Sequence, residues 1–541
     1  MGRLDAPRHL PAAPTHRSRE VAWLVALLLG GAGAVSGQHR DPARIDTIVV
    51  HTRNIFDSTD VAPHLVARWA NALHITTRPA VVRRLLLFDP GDPYDSAHVI
   101  ETARYLRSLG VFRAVDLDTM RLGDRLALQV VTRDGWSTSP EVNFASTAGS
   151  ITWSVGILER NFLGTAALAA LSYTKNPDRS ALVVEYRSPG LLLRRTPLQL
   201  AYADLSDGTN ATWSYGMPFY ETTAPWSLET YGETGRQRVL DFQGDSLADS
   251  SERRALVVGV RGGVALSRDR DGYVRLLGEG QWRREDFAAA GSTPFPYSTF
   301  GSLSLGVEAS AVRYREYVHL NGFARREDVD LSRTLRVAVA VAPSAWGYSP
   351  DRAGVGPLVK AQLGVGWDDG LLVVRAQGDG IFAPAGLDSG VVLVGVDLAS
   401  QALPHQTVVL HAEGGAMRNP KPGSAFDPWL TRSGPRGFGA HAFTGTRQYW
   451  LMAEDRFVVS ETFLGVMGIG LAPFAEYGGA WYAGIEPQRT GGDAGMALRF
   501  GGTRGTRSDV AELDLAYRWG DATAVAGDHW VVTFRQSYAI Q

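Results

Sequence analysis

From Trp136 to the end of the chain, apolar and polar residues alternate with period two, in segments of roughly ten residues. Over Gly301 to Ala311, one face carries Leu303, Leu305, Val307, Ala309 and Ala311, and the other Ser302, Ser304, Gly306, Glu308 and Ser310. Leu335, Val337, Val339 and Val341 share a face in the next clear segment, and Ala511, Leu513, Leu515, Tyr517 and Trp519 oppose Glu512, Asp514, Ala516 and Arg518. The final segment sets Trp530, Val532, Phe534, Tyr538 and Ile540 on one side. Successive side chains of a strand point to opposite faces, so each segment is a strand with one oily face. A soluble sandwich turns that face inward, whereas a membrane barrel turns it outward and keeps a polar lumen. Three features favour the barrel. The segments have the length that crosses a bilayer at a tilt. Their opposite faces are rich in Gly, Ser, Glu and Arg. Trp and Tyr recur at segment ends, where an interfacial girdle sits. Closure also removes every unpaired edge from lipid. The expected fold is mainly β, a transmembrane antiparallel barrel over 138–541. A large secreted sandwich or propeller is the competing soluble architecture.

The preceding residues have a different texture. Arg17 and Arg19 are followed by the apolar run Val21 to Leu29 and then by small residues from Gly30 to Gly37, the order of a secretory signal peptide over 1–37. Residues 44–134 read as a small α+β domain. A short β-type run around Ile45 to His51 is followed by a helix after Thr77-Arg78-Pro79, with Thr77 as its cap and Val82, Leu85 and Leu86 on its apolar face. Phe88 to Pro93 is a breaker. A second helix opens at Asp95 or Ser96, buries Val99, Ala103 and Leu106 with Ile100 beside them, and ends at Gly110. Two strands follow, Ala114 to Met120 and Leu126 to Thr132. The order is strand, helix, helix, strand, strand.

These residues resemble a known superfamily, the outer-membrane protein assembly and translocation proteins of BamA and TamA type, also called bacterial surface antigens. The run Leu87 to Asp95 looks like the Gly-Asp-x-Tyr entry to the second helix of a POTRA module, and Leu109-Gly110-Val111-Phe112 like its Gly-x-Phe exit. Glu159-Arg160-Asn161-Phe162-Leu163-Gly164 resembles an Asn-Leu-x-Gly turn early in the barrel. Arg436-Gly437-Phe438 resembles the Arg-Gly-Phe/Tyr tip of a long inward-folded loop, with Pro435 where an aliphatic residue is usual. Phe474-x-Glu476-x-Gly478 resembles the strand motif that receives that arginine, with Glu where Asp is commoner. Glu454 and Arg456 form a Glu-x-Arg pair on the strand after the loop, and Gly495 to Phe500 matches a further strand.

The resemblance implies one POTRA-like periplasmic domain, a barrel of about 16 strands, and a pairing of Arg436 with Glu476 that anchors the loop to the lumen wall. The alternating segments themselves number nearer about twenty, the surplus lying between 250 and 417, as bulge-split strands or as extramembrane hairpins. The first strand candidate, Glu141 to Thr147, is short and polar, which suits a weak closing seam. The implied function is insertion, assembly or translocation of proteins at the bacterial outer membrane. Lipid and client outer-membrane or secreted proteins are the implied partners, with periplasmic chaperones or accessory lipoproteins beside them. A channel or receptor on the same barrel, without assembly activity, is the alternative.

Composition narrows the rest. There is no Cys, which excludes a disulfide scaffold and a thiol nucleophile. Lys and Arg (54) nearly balance Asp and Glu (56), so no general attraction to nucleic acid is expected. Gly-x-Ser-x-Gly, P-loop and His-Glu-x-x-His motifs are all missing. His411 and Glu413 share a strand face by periodicity alone. The expectation is a protein without catalytic, cofactor or metal site.

Overall fold

The computed structural model describes residues 43–540, except 56–71, 73, 124, 148–149, 191–192, 290–298, 324–325, 349–353, 385, 432, 464–466, 486–487, 504–509 and 522–527. The expected signal peptide lies outside the described residues.

Near the start, β1 (Thr47–Arg53), α1 (Pro79–Leu85), α2 (Ser96–Ser108), β2 (Phe112–Leu122) and β3 (Arg125–Asp134) form a three-stranded sheet, order β1-β3-β2, backed by two helices. Its core joins Ile48, Val82, Leu86, Leu106, Phe112 and Leu128, the apolar stripes of both helices against one sheet face. Asp95 caps α2 by accepting from the Ala97 amide at 3.0 Å. Two local expectations fail. Thr77 does not cap α1, whose N-cap is Arg78. Its amide and hydroxyl instead bind Asp134, at 2.7 and 3.1 Å. Ile100 is 63% exposed, because the stripe of α2 closes on Thr102 instead.

The remaining chain forms a closed antiparallel barrel of 20 strands. The first ten are β4 (Thr138–Thr147), β5 (Ser150–Glu159), β6 (Leu168–Lys175), β7 (Ser180–Ser188), β8 (Leu198–Leu205), β9 (Gly208–Met217), β10 (Trp226–Gln243), β11 (Ser246–Arg268), β12 (Gly272–Ala289) and β13 (Thr299–Ala311). A separate hairpin follows, β14 (Tyr314–Val318) and β15 (Arg326–Asp330). The other ten are β16 (Arg333–Ala342), β17 (Gly354–Trp367), β18 (Gly370–Ala383), β19 (Gly386–Ser400), β20 (Gln406–Arg418), β21 (Arg447–Phe463), β22 (Met467–Trp481), β23 (Thr490–Gly502), β24 (Val510–Gly520) and β25 (Trp530–Gln536).

The expectation of about 16 strands is therefore corrected to 20. Between residues 250 and 417 the alternating segments are complete barrel strands. Register shifts, as at Ile381/Phe382, bend strands without dividing them. Among the described residues in this range, only the strands β14 and β15 leave the wall. The first strand is also longer than its polar stretch suggested, starting at Thr138. Among the described residues, it closes the barrel against β25 through one residue pair, Phe534 with Ser146, whereas it pairs with β5 along its whole length.

Large apolar side chains point out of this barrel. Leu305 is 59% and Leu515 50% exposed, while Glu512 and Asp514, on the opposite face of β24, are fully buried. That is the inverse of a soluble sandwich. The last turn departs from the expected pattern. Alternation ends with β25, and Tyr538 and Ile540 turn into the lumen instead of continuing the outward face.

The small domain packs on the barrel rim from which β4 starts, the near rim. Asn161 of the β5–β6 turn donates to the Ile75 carbonyl at 2.8 Å, and the Arg78 amide donates to the Gly164 carbonyl at 3.1 Å. Arg194 in the β7–β8 turn grips Asp89 at 2.7 Å.

Candidate functional site

Between β20 and β21, at the far rim, residues 419–446 leave the wall and fold into the barrel. The short helix α3 (Pro428–Thr431) is started by Asp427, which accepts from the Trp429 amide at 3.1 Å. Asp427 also binds His441, which lies 2.8 Å from Asp178 in the β6–β7 turn and stacks on Phe242 with ring centroids 3.5 Å apart. Burial alone lowers the pKa of this imidazole, but the two carboxylates outweigh it and push the value up to about 9. Phe438 and Phe443 pack with Phe426 and Ala480, so the loop brings its own apolar core.

Arg436 sits at the inner end of this loop with its side chain fully buried. Its Nε and Nη2 donate to one oxygen of Glu476 at 3.0 and 2.7 Å, and its backbone amide donates to the other at 2.7 Å. Nη2 also donates to Glu454 at 2.8 Å. Nη1 lies at ion-pair distance from Glu512 and Asp514, 3.5 and 3.6 Å. The guanidinium stands 3.7 Å from the ring centre of Phe474, a cation–π contact that covers its face. The planar fork is thus used on its edge by carboxylates and on its face by an aromatic ring.

Gly437 continues the clamp. Its amide donates to Asp493 at 2.5 Å, and its carbonyl accepts from Arg518 at 3.1 Å. A methyl group there would press on the Asp493 carboxylate, so glycine permits this approach. Around the clamp, Arg499 and Arg535 bind Glu512, and Arg535 also binds Asp514. Four arginines (436, 456, 499, 535) and four carboxylates (454, 476, 512, 514) make a formally neutral network of ion pairs, all but Arg535 buried, and Gly437 joins Asp493 and Arg518 to it through its backbone. Buried charges are tolerated only in such pairing.

All the residues singled out from the sequence lie on the lumen side. Phe474, Glu476 and Gly478 face inward on β22, but Gly478 packs against the backbone of β21 rather than the loop. Glu454 is a direct partner of Arg436. Arg456 donates to Glu454 at 2.7 Å and does not touch the loop arginine. Sequence reasoning missed Asp493, Glu512, Asp514, Arg499, Arg518 and Arg535. The alternation of β24 already put Glu512, Asp514 and Arg518 on the inner face; nothing in it shows that they converge on Arg436. Among the described residues, no group of three or more His, Asp or Glu is arranged to hold a metal ion. The arrangement can hold a loop.

No family model matches the chain. Among solved structures, the chain is similar to BamA from Haemophilus ducreyi lacking POTRA domains 1–3, at 13% identity and TM-score 0.37, over 91% of this chain and 84% of that one. CdiB from Escherichia coli is similar at 12% identity and TM-score 0.46, over 94% and 92% of the two chains. CdiB from Acinetobacter baumannii is similar at 12% identity and TM-score 0.44, over 91% and 73%.

Proposed function

We propose that this chain is an outer-membrane barrel that inserts or translocates other proteins, with its small domain a POTRA-like module in the periplasm. The observation that carries the reading is the Arg436 clamp inside an inside-out barrel. A long loop folded into the lumen is tied to the wall by an Arg-Gly-Phe tip, on the strand motif that the sequence resemblance assigns to it. The outward apolar faces suit lipid, and the closed sheet leaves no edge to satisfy there. The thin β4–β25 closure leaves a wall segment at which a client strand can pair. No cofactor enters this mechanism: the chain's work is to position and release polypeptide. Client outer-membrane or secreted proteins are its substrates, and chaperones or lipoproteins are candidate partners of the small domain. Depletion of the protein, followed by an inventory of outer-membrane and secreted proteins, is the test. Loss of a subset from either fraction is expected. An unchanged inventory of both sinks the reading.

A channel is the second reading. The lumen wall along β10 to β12 is charged, with Arg261 on Glu229 and Arg253 bridging Glu233 and Glu285. A protein that conducts ions, and whose depletion leaves every client untouched, fits the channel instead.

A further inference from the structure

The lumen holds a second inserted element that the Arg436 clamp does not account for. The hairpin β14–β15 and its tip enter from the near rim and pack along seven consecutive strands, β17 to β23. Tyr317, Leu320, Val329 and Leu331 are buried with Leu371, Val373, Ala399, Val409, Trp450 and Met452. The wall is carved to receive it. A methyl group on Gly364 of β17 would overlap the Leu331 backbone, and one on Gly468 of β22 would overlap the Phe323 ring. Two wall arginines hold the tip by its backbone. Arg456 donates to the Leu320 carbonyl at 2.7 Å and Arg499 to the Asn321 carbonyl at 2.9 Å.

The segment after β25 fastens this hairpin. Asn321 uses its side-chain amide as a peptide group, donating to the Ile540 carbonyl at 2.9 Å and accepting from the Ile540 amide at 2.8 Å. Ile540 is buried in the same apolar cluster as the hairpin. The Tyr538 hydroxyl donates to Asp397 at 2.5 Å and lies 2.8 Å from His411 Nδ1, with Trp450 edge-on to its ring. Arg456 reaches the Tyr538 carbonyl at 2.8 Å. The lower lumen is thus a built site for an extended Tyr-x-Ile segment. It is filled here by the chain's own residues 538–540.

We infer that β14–β15 is a displaceable plug, pinned in the lumen by residues 537–540 acting as a ligand in cis. Both ends of the molecule reach it. On the near side, α2 touches the hairpin through Arg107 to Asp328 at 3.1 Å and Arg104 over the Tyr314 ring at 3.8 Å. On the far side, Glu454 binds Arg456, which holds plug and tail, with one oxygen and Arg436 with the other. A pull on the small domain therefore loads the plug, and the plug shares a carboxylate with the loop clamp. This inference rests on the barrel reading above but not on which clients are handled.

The chain lacks cysteine, so a single introduced thiol reports on the plug. Leu320→Cys, 1% exposed in the closed form, is labelled in the full-length protein with a charged methanethiosulfonate. The same thiol is then labelled in the Tyr538→Phe and Asn321→Ala backgrounds, with heat-modifiable gel mobility confirming an intact barrel. Each background removes hydrogen bonds from the tail, and labelling is expected to quicken by about tenfold. Bilayer conductance of the Asn321→Ala variant is expected to rise alongside. Unchanged labelling in both backgrounds overturns pinning by the tail. Faster labelling with unchanged conductance overturns the plug. Neither outcome depends on the client inventory, so failure here and failure of the assembly reading are distinct.

Discussion

Arg436 is the residue on which most of the buried charge converges. Removing it leaves Glu454, Glu476, Glu512 and Asp514 without their common cation. Arg436→Ala is expected to cost about 3–5 kcal/mol of loop anchoring, the range for breaking a buried pair by deleting one partner. Arg436→Lys keeps the charge but cannot reproduce the Nε and Nη2 contacts, and is expected to recover only part of it. Limited proteolysis of residues 419–446 measures both; equal resistance in wild type and Arg436→Ala would falsify the clamp. Gly437→Ala pushes a methyl group at Asp493 and is expected to cost about 1–3 kcal/mol by the same measurement. The Arg436–Glu476 pair was legible through the motif resemblance, with Glu476 standing where Asp is commoner. The direct role of Glu454 was not. Period-two patterning assigns a residue to a face, but says nothing of its height in the lumen or of what lies across from it.

At the scale of elements, the far end of the same loop is pinned by His441. Asp178 and Asp427 bind it, and Asp241, Arg179, Arg238 and Tyr482 line the cleft around it. Its folded pKa of about 9 lies above the ordinary 6.5, so its contribution is full below about pH 6.5. That contribution fades as pH rises through 9. Protease cleavage of the loop is therefore expected to accelerate between about pH 7 and 9, and His441→Ala is expected to flatten the profile. A wild-type cleavage rate that ignores pH over that window would rule out this anchor. The closing strand carries a second lesson. Outward periodicity suggested that Tyr538 and Ile540 continue β25, but their hydrogen-bond partners Asp397, His411 and Asn321 lie inside. An alternating pattern runs on through a bend that it cannot register, because a chain that turns inward can keep every second residue apolar.

For the whole molecule, the inside-out distribution of charge makes a sharp prediction about depth. Leu305→Arg places a cation on the outward face and is expected to cost about 2–4 kcal/mol at the bilayer midplane. Glu308→Gln, on the lumen side of the same strand β13, is expected to cost far less. Urea unfolding in lipid vesicles compares the two; a reversed order would argue for a soluble β-protein. The strand number belongs to this scale as well. Counting alternating segments came closer to the 20 observed than the expectation of about 16 drawn from the motif resemblance did, because each segment has to satisfy its backbone in a closed sheet.

Periodicity alone was enough to specify a mainly β chain with one oily face per strand, since a strand's side chains must alternate and burial must pick a side. Among the described residues before Thr138, the strands and helices were legible for the same local reason, in the Asp95 cap, the breaker at Phe88 to Pro93 and the apolar stripes. What filled the barrel was decided only in three dimensions. The hairpin β14–β15, the inward turn of residues 537–540 and the charge network are contacts between segments far apart in sequence, by 219 residues in the case of Asn321 and Ile540. Such contacts depend on the closure of the sheet, which brings strands distant in sequence to one lumen, and no local pattern encodes which of them will meet.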